Sequence, residues 1–150
     1  DEMLEPGNRL LLGMVRRFDE WVAASGVKVK EVELHVVSKE HKYAGTFDAV
    51  GTLPGSRALV LFDWKTSAGI YPDMELQLAA YAQAYKEQTG IEIKKGVIVL
   101  VGKDKPSHRL IVKEYKLGNR PIKAILKRLE DFRKYSVQRK EPNEGVRTSV

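Results

Sequence analysis

The stretch Leu10 to Ala24 carries Leu11, Val15, Phe18 and Val22 at helical spacing, with Arg16, Arg17, Asp19 and Glu20 between them, which predicts an amphipathic helix ended by Ser25-Gly26. Val29 to Val37 then alternates, with Val32, Leu34 and Val36 on one side and Glu31, Glu33, His35 and Val37 on the other. That is the pattern of a strand. Lys39 to Lys42 is polar enough for a turn, and Tyr43 to Leu53 is β-rich and broken by Gly45 and Gly51, so the two runs fit a hairpin. After a second turn at Pro54-Gly55-Ser56, the run Ala58 to Phe62 is almost wholly apolar, as expected for a central strand covered on both faces.

Pro72 stands where a proline opens a helix, and Met74 to Gln88 is rich in alanine, leucine and glutamine up to a stop at Gly90. Gly96 to Val101 predicts another buried strand, Leu110 to Tyr115 a shorter one, and Pro121 to Val137 a third helix. Pro106 to Arg109 reads as a turn to which Lys103 and Lys105 add charge, and the tail after Glu141 as frayed. Three meander strands followed by a helical crossover imply an α/β fold with a mixed sheet flanked by helices. No repeat or linker divides the chain, so residues 1–150 are expected to form one domain.

Composition narrows the class. The 150 residues are 43% hydrophobic and 31% charged, which is neither the profile of a disordered chain nor that of a membrane protein. The absence of cysteine excludes disulfides, thiolate metal sites and a cysteine nucleophile, and it fits a reducing compartment. An intracellular location, cytoplasmic or organellar, is the expectation, with no membrane partner. The chain opens Asp-Glu rather than with a methionine, which leaves room for an upstream segment.

Charge is unevenly placed. From Arg120 to Lys140 there are eight bases and two acids, a surplus equal to the +6 net charge of the whole chain. Attraction to a polyanion is therefore expected along the C-terminal helix, with Lys123, Lys127, Arg128, Arg133 and Lys134 as contacts to a DNA backbone.

The chemistry concentrates at Asp63-Trp64-Lys65, at the end of the central strand. Residues two apart on a strand share a face, so Asp63 and Lys65 point one way and Trp64 the other. If Pro54-Gly55-Ser56 makes the turn, Asp48 on the preceding strand lies at a height comparable to Asp63. Two such carboxylates repel, and a divalent cation that prefers hard oxygen ligands, Mg²⁺ or Mn²⁺, removes the repulsion. Lys65 would then stand beside the metal, able to orient a water and stabilise charge on a phosphate. On the following helix Gln77 and Tyr81, four apart, share a face.

Gly45-X-X-Asp48, Asp63-X-Lys65 and Gln77-X-X-X-Tyr81 together resemble the PD-(D/E)XK nuclease superfamily, in particular its RecB-like exonuclease branch. The resemblance spans residues 33 to 81, and the element order is similar to the superfamily's restriction-endonuclease-like αβββαβ core. It implies metal-dependent hydrolysis of phosphodiester bonds in DNA, with Asp48 and Asp63 as metal ligands, the carbonyl of Trp64 as a further ligand and Lys65 as the catalytic lysine. Gln77 and Tyr81 would support the site or touch DNA. The superfamily's additional first-motif acid or histidine is matched here by Glu33, with Glu20 as the second choice. Tyr71, near the expected site, is placed to stack on an unpaired base.

Other features carry less. His35 and His41 read as surface or turn residues, Ser67 lacks an accompanying base, and Trp21 reads as core. The expectation is an exonuclease acting on single-stranded or flap DNA ends in replication, recombination or repair, with endonuclease action left open. A second reading is a nuclease-fold module that binds DNA without turnover as a subunit of a larger replication or recombination complex. A third is a basic α/β domain with a protein partner.

Overall fold

The computed structural model describes residues 6–102 and 110–140, and side chains within 12–102 and 110–136. The predicted turn at Pro106 to Arg109, with Lys103 and Lys105, and the tail after Glu141 lie outside the described residues. The elements run α1 (Pro6–Ser25), β1 (Lys28–Ser38), β2 (Tyr43–Thr52), β3 (Val60–Lys65), α2 (Pro72–Thr89), β4 (Lys95–Val101), β5 (Leu110–Lys116) and α3 (Asn119–Lys140). The five strands pair in the order β1-β2-β3-β4-β5. Only β3 and β4 run parallel; the other pairs are antiparallel. The sheet is mixed because α2 crosses over between its two parallel strands, as the spacing predicted.

β3 is the middle strand, and Val60, Leu61 and Phe62 are almost wholly buried. It begins at Val60, so Ala58 and Leu59 fall outside it. Leu61 belongs to the core under α2, while Val60 and Phe62 belong to the core under α1. Each face of the sheet thus has its own apolar layer. The buried stripe of α1 differs from the expected one: Met14 is buried, Phe18 and Trp21 pack into the layer, and Val15 is 46% exposed. The larger rings decide the helix's rotation, because Phe18 reaches Trp64 with ring centres 4.3 Å apart and Trp21 approaches Phe62 at 6.4 Å.

On the opposite face, α2 buries Met74, Leu78, Ala79, Ala82, Ala84 and Tyr85. Its small alanines let the helix lie close to the sheet. Gly90, in the left-handed conformation at φ 75°, ends the helix by donating its N–H to the Lys86 carbonyl at 2.8 Å. The α3 residues Ile122 and Ile125 pack against the same layer. No helix among the described residues is long and apolar enough to cross a membrane.

The β1–β2 hairpin departs from simple alternation. Val32 pairs with Ala49, which lies in the α1 layer, whereas Leu34 pairs with Phe47, which lies in the α2 layer. Val32 and Leu34 therefore do not share a side, contrary to the alternation read from sequence, and Val32 is 63% exposed. The reversal falls at Glu33, whose φ of 54° is left-handed. Beyond it the hairpin lies over α2: the Tyr43 hydroxyl donates to the Ala80 carbonyl at 2.7 Å, and the Val37 N–H donates to Gln88 Oε1 at 2.9 Å.

Leu78 is fully buried beneath α2. Leu78→Ala is expected to destabilise the protein by about 2–5 kcal/mol, read as a lower midpoint in urea with an unchanged slope.

Candidate active site at the end of the central strand

The ladder between β2 and β3 consists of Gly51↔Val60, Val50↔Leu61 and Ala49↔Phe62, and it stops there. The next residue on each strand is an aspartate, Asp48 on β2 and Asp63 on β3. The Trp64 N–H, facing β2, donates instead to Asp48 Oδ2 at 2.6 Å. A side chain thus replaces the missing ladder bond, and Asp48 is fixed against the mouth of the opening. The carbonyl of a strand residue points to the same side as its N–H, so the Trp64 carbonyl also faces this opening. The indole lies on the other face among Phe18 and Phe62, as the alternation predicted.

Asp63 is 5% exposed, and its Oδ2 lies 2.9 Å from Lys65 Nζ. The same ammonium donates to Gln77 Oε1 at 2.7 Å, so β3 and α2 hold it from two sides. Tyr81, one turn beyond Gln77, packs on Phe47 with ring centres 5.7 Å apart. Gly45 allows this: a Cβ there would lie 2.5 Å from the Tyr81 ring. The three motifs of the sequence are thereby brought together, with Asp48, Asp63, Lys65, Gln77 and Tyr81 around one opening.

Electrostatics follow from this crowding. Burial, then the neighbouring Asp48, pushes the Asp63 carboxyl up to about 7, and Lys65 only partly offsets them. Burial and the same two aspartates push the Tyr81 hydroxyl up to about 12. Tyr81 therefore keeps its proton. Two carboxylates of which one resists ionisation, beside a backbone carbonyl, form a hard oxygen donor set suited to a divalent cation such as Mg²⁺ or Mn²⁺. The residues present fit that group.

Other expected residues stand apart. Glu33 falls between the Val32↔Ala49 and Leu34↔Phe47 pairs, hence across from Asp48, but it is exposed. Among the described residues its carboxylate does not join Asp48 and Asp63 in a three-ligand set. Glu20 is an exposed residue of α1, on the opposite face of the sheet. Tyr71 precedes α2 and is 51% exposed. His35 bonds to Thr46 Oγ1 at 2.8 Å on the exposed side of the hairpin. Trp21 is an aromatic of the α1 layer, as read. Sequence reasoning missed the Trp64 N–H as the anchor of Asp48, for which no residue type at position 64 is a signal.

The basic residues of α3 divide into two groups. Arg128 Nη1 pairs with Asp73 Oδ1 at 2.6 Å, Lys134 with Glu130 at 2.8 Å, and Arg133 donates to the carbonyls of His41 and Lys42. Lys123 and Lys127 have no salt bridge among the described residues and line a groove of about 560 Å³ between α3 and the β1–β2 turn.

No protein-family model and no curated protein matches the sequence. The fold does match solved structures. A candidate exonuclease from Eubacterium rectale superposes with a TM-score of 0.61 at 12% identity, covering 90% of this chain and 54% of that one. A phage-related exonuclease from Haemophilus somnus 129PT superposes with a TM-score of 0.55 at 16% identity, covering 88% of this chain and 69% of that one. The chain thus spans about half the length of the first of these. It shares the fold of these two structures, a mixed sheet of five strands with helices packed on it.

Because Asp63 holds its proton more tightly when folded than its ordinary value of 3.8, the folded state binds the extra proton between about pH 4 and 7. Its contribution is most favourable below that window and is lost as pH rises through it, by at most about 1.4 kcal/mol per pH unit. In EDTA, thermal melts from pH 4 to 8 should show this loss, and Asp63→Asn should remove that part of the slope. An identical pH dependence in both proteins would contradict it.

Proposed function

We propose that the chain is a Mg²⁺- or Mn²⁺-dependent deoxyribonuclease acting as an exonuclease on single-stranded or flap DNA ends. The observation that carries this reading is the convergence of Asp48, Asp63 and Lys65 where β2 leaves β3, on a fold shared with proteins described as exonucleases. Asp48, Asp63 and the Trp64 carbonyl would hold the cation. A bound divalent cation supplies Lewis acidity toward a phosphate oxygen and a water of lowered pKa.

The chain's own residues perform the rest. Lys65, held between Asp63 and Gln77, keeps a positive charge at the opening, where it orients the attacking water and stabilises charge on the phosphate. Gln77 positions that ammonium rather than reacting. Tyr81, protonated, offers a hydrogen bond to the DNA strand or to the carboxylates. Tyr71, exposed at the start of α2, can stack on an unpaired base. Lys123 and Lys127 supply phosphate contacts, since Arg128, Arg133 and Lys134 are engaged within the protein.

One observation favours a second reading. Glu33, the nearest match to the superfamily's first motif, does not join the aspartate pair, which is what a nuclease-fold module that binds DNA without turnover would show.

End-labelled linear single-stranded DNA should be degraded with Mg²⁺ or Mn²⁺ and left intact in EDTA. Asp63→Asn and Lys65→Ala should each lower the rate at least about 100-fold, the scale of lost electrostatic and acid–base contributions. Salt-sensitive binding with no cleavage by the parent chain would establish the binding module instead.

Binding has its own readout. Lys123→Gln with Lys127→Gln should weaken single-strand binding and reduce the magnitude of the log K versus log salt slope by about 1.4, two contacts at about 0.7 each. An unchanged slope would remove α3 from the DNA path.

A further inference from the structure

We propose that Glu40, His41 and Glu87 form a second divalent-metal site, of the imidazole–carboxylate kind suited to Zn²⁺, which ties the β1–β2 turn to α2. Glu87 lies ten residues beyond Gln77 on α2, about 15 Å along the helix axis at 1.5 Å per residue. The site is therefore separate from Asp48 and Asp63.

Three ligating atoms, one from each residue, lie within 4.8 Å of one another. His41 Nε2 stands 3.9 Å from Glu40 Oε2. Tetrahedral ligands about 2.0–2.2 Å from a common ion are about 3.3–3.6 Å apart, so the three atoms close on a cation once side-chain torsions draw them together by up to about an ångström. Nitrogen with two carboxylates favours zinc or a neighbouring transition metal over Mg²⁺, which takes oxygen alone.

A second observation is independent of that spacing. Glu87 Oε2 is buried without any hydrogen-bond partner, while its Oε1 accepts from Ser38 Oγ at 2.9 Å. A carboxylate oxygen cut off from water and left without a donor is costly, and a cation supplies what it lacks. Ser38 is itself fully buried, and its hydroxyl also accepts the His41 N–H at 3.0 Å. One hydroxyl thus orients a carboxylate ligand and fixes the backbone of the imidazole ligand, the usual work of outer-sphere partners in metal sites. Arg133 Nη2 holds the His41 carbonyl at 2.7 Å, so the turn is clamped on both sides of the ring.

The groove between the turn and α3 opens on Glu40 and His41, which gives a cation an entry path and room for a water as a further ligand. Lys123, Lys127, Arg133 and Lys134 line the same groove and oppose a free cation. Capture therefore depends on all three ligands acting together, and loss of one should cost most of the affinity.

The test is a titration of the ¹⁵N-labelled full chain with Zn²⁺, followed by imidazole ¹H–¹⁵N correlations. The chain has three histidines, and the resonance of His41 is identified by its absence in His41→Gln. The expected result is a shift of the His41 ring that saturates at one equivalent, persists in Asp48→Asn/Asp63→Asn and weakens at least ten-fold in Glu87→Gln. Because Glu87 is partly buried, Glu40→Gln, on the exposed turn, gives the same reading without disturbing α2. An unmoved His41 ring at one equivalent, affinity within ten-fold of the parent in both glutamate variants, or loss of the shift in the double aspartate variant would overturn the proposal.

Discussion

The architecture of the candidate site depends on one hydrogen bond, from the Trp64 N–H to the Asp48 carboxylate. A central strand that loses a neighbour exposes backbone groups which must find other partners. Here β2 leaves β3 after Ala49↔Phe62, and Asp48 takes up the donor that the departing backbone releases. The same event leaves two carboxylates and a backbone carbonyl around one opening. It also frees the outer half of the hairpin to lie over α2, a change made possible by the left-handed backbone at Glu33. Such a conformation costs a non-glycine residue about 1–2 kcal/mol, and the burial of Val36 and Phe47 against α2 offsets it.

Helix α2 connects the parts. Its buried face closes one core layer, Gln77 and Tyr81 face the aspartates, and Gln88 receives the hairpin. The charge of Lys65 lies between two different elements, so the ammonium is held before any substrate arrives. In the proposed nuclease that would be the preorganisation on which electrostatic stabilisation of a developing charge depends. The opposite layer serves rigidity: Phe18, Trp21, Phe62 and Trp64 anchor the far side of β3, so that the alternating residues Asp63 and Lys65 are presented from a fixed strand.

The basic surplus of α3 is a weaker determinant than its count suggests. Of its five named bases, Arg128 holds α2, Arg133 holds the hairpin turn and Lys134 pairs with Glu130 within α3 itself, which leaves Lys123 and Lys127 along the groove without a salt bridge among the described residues. Charge in the sequence measures potential; partners in the structure decide which groups remain to meet a polyanion.

Much of the molecule was legible in its residues because the signals were local. The apolar run before Asp63 marks a strand covered on both faces, Pro72 and Gly90 bound α2, and residues two apart on a strand or four apart on a helix share a face whatever surrounds them. The order of elements follows from that periodicity, while the grouping of Gln77 and Tyr81 with Asp48, Asp63 and Lys65 was what the resemblance of the motifs implied. Periodicity fails where the chain breaks its own repeat. The reversal at Glu33, which separates Val32 from Leu34, is a single backbone torsion with no compositional mark. The rotation of α1 toward Met14 and Trp21 was settled by the rings it meets across the layer. Likewise Glu87 meets Glu40 and His41, and Arg133 the carbonyls of the turn, only because the hairpin lies over α2. Local sequence determined the elements and the faces of β3 and α2; long-range packing decided the rotation of α1, the turn of β1 at Glu33 and which faces meet, because contacts between residues distant in the chain exist only after the sheet has opened and the hairpin has crossed the helix.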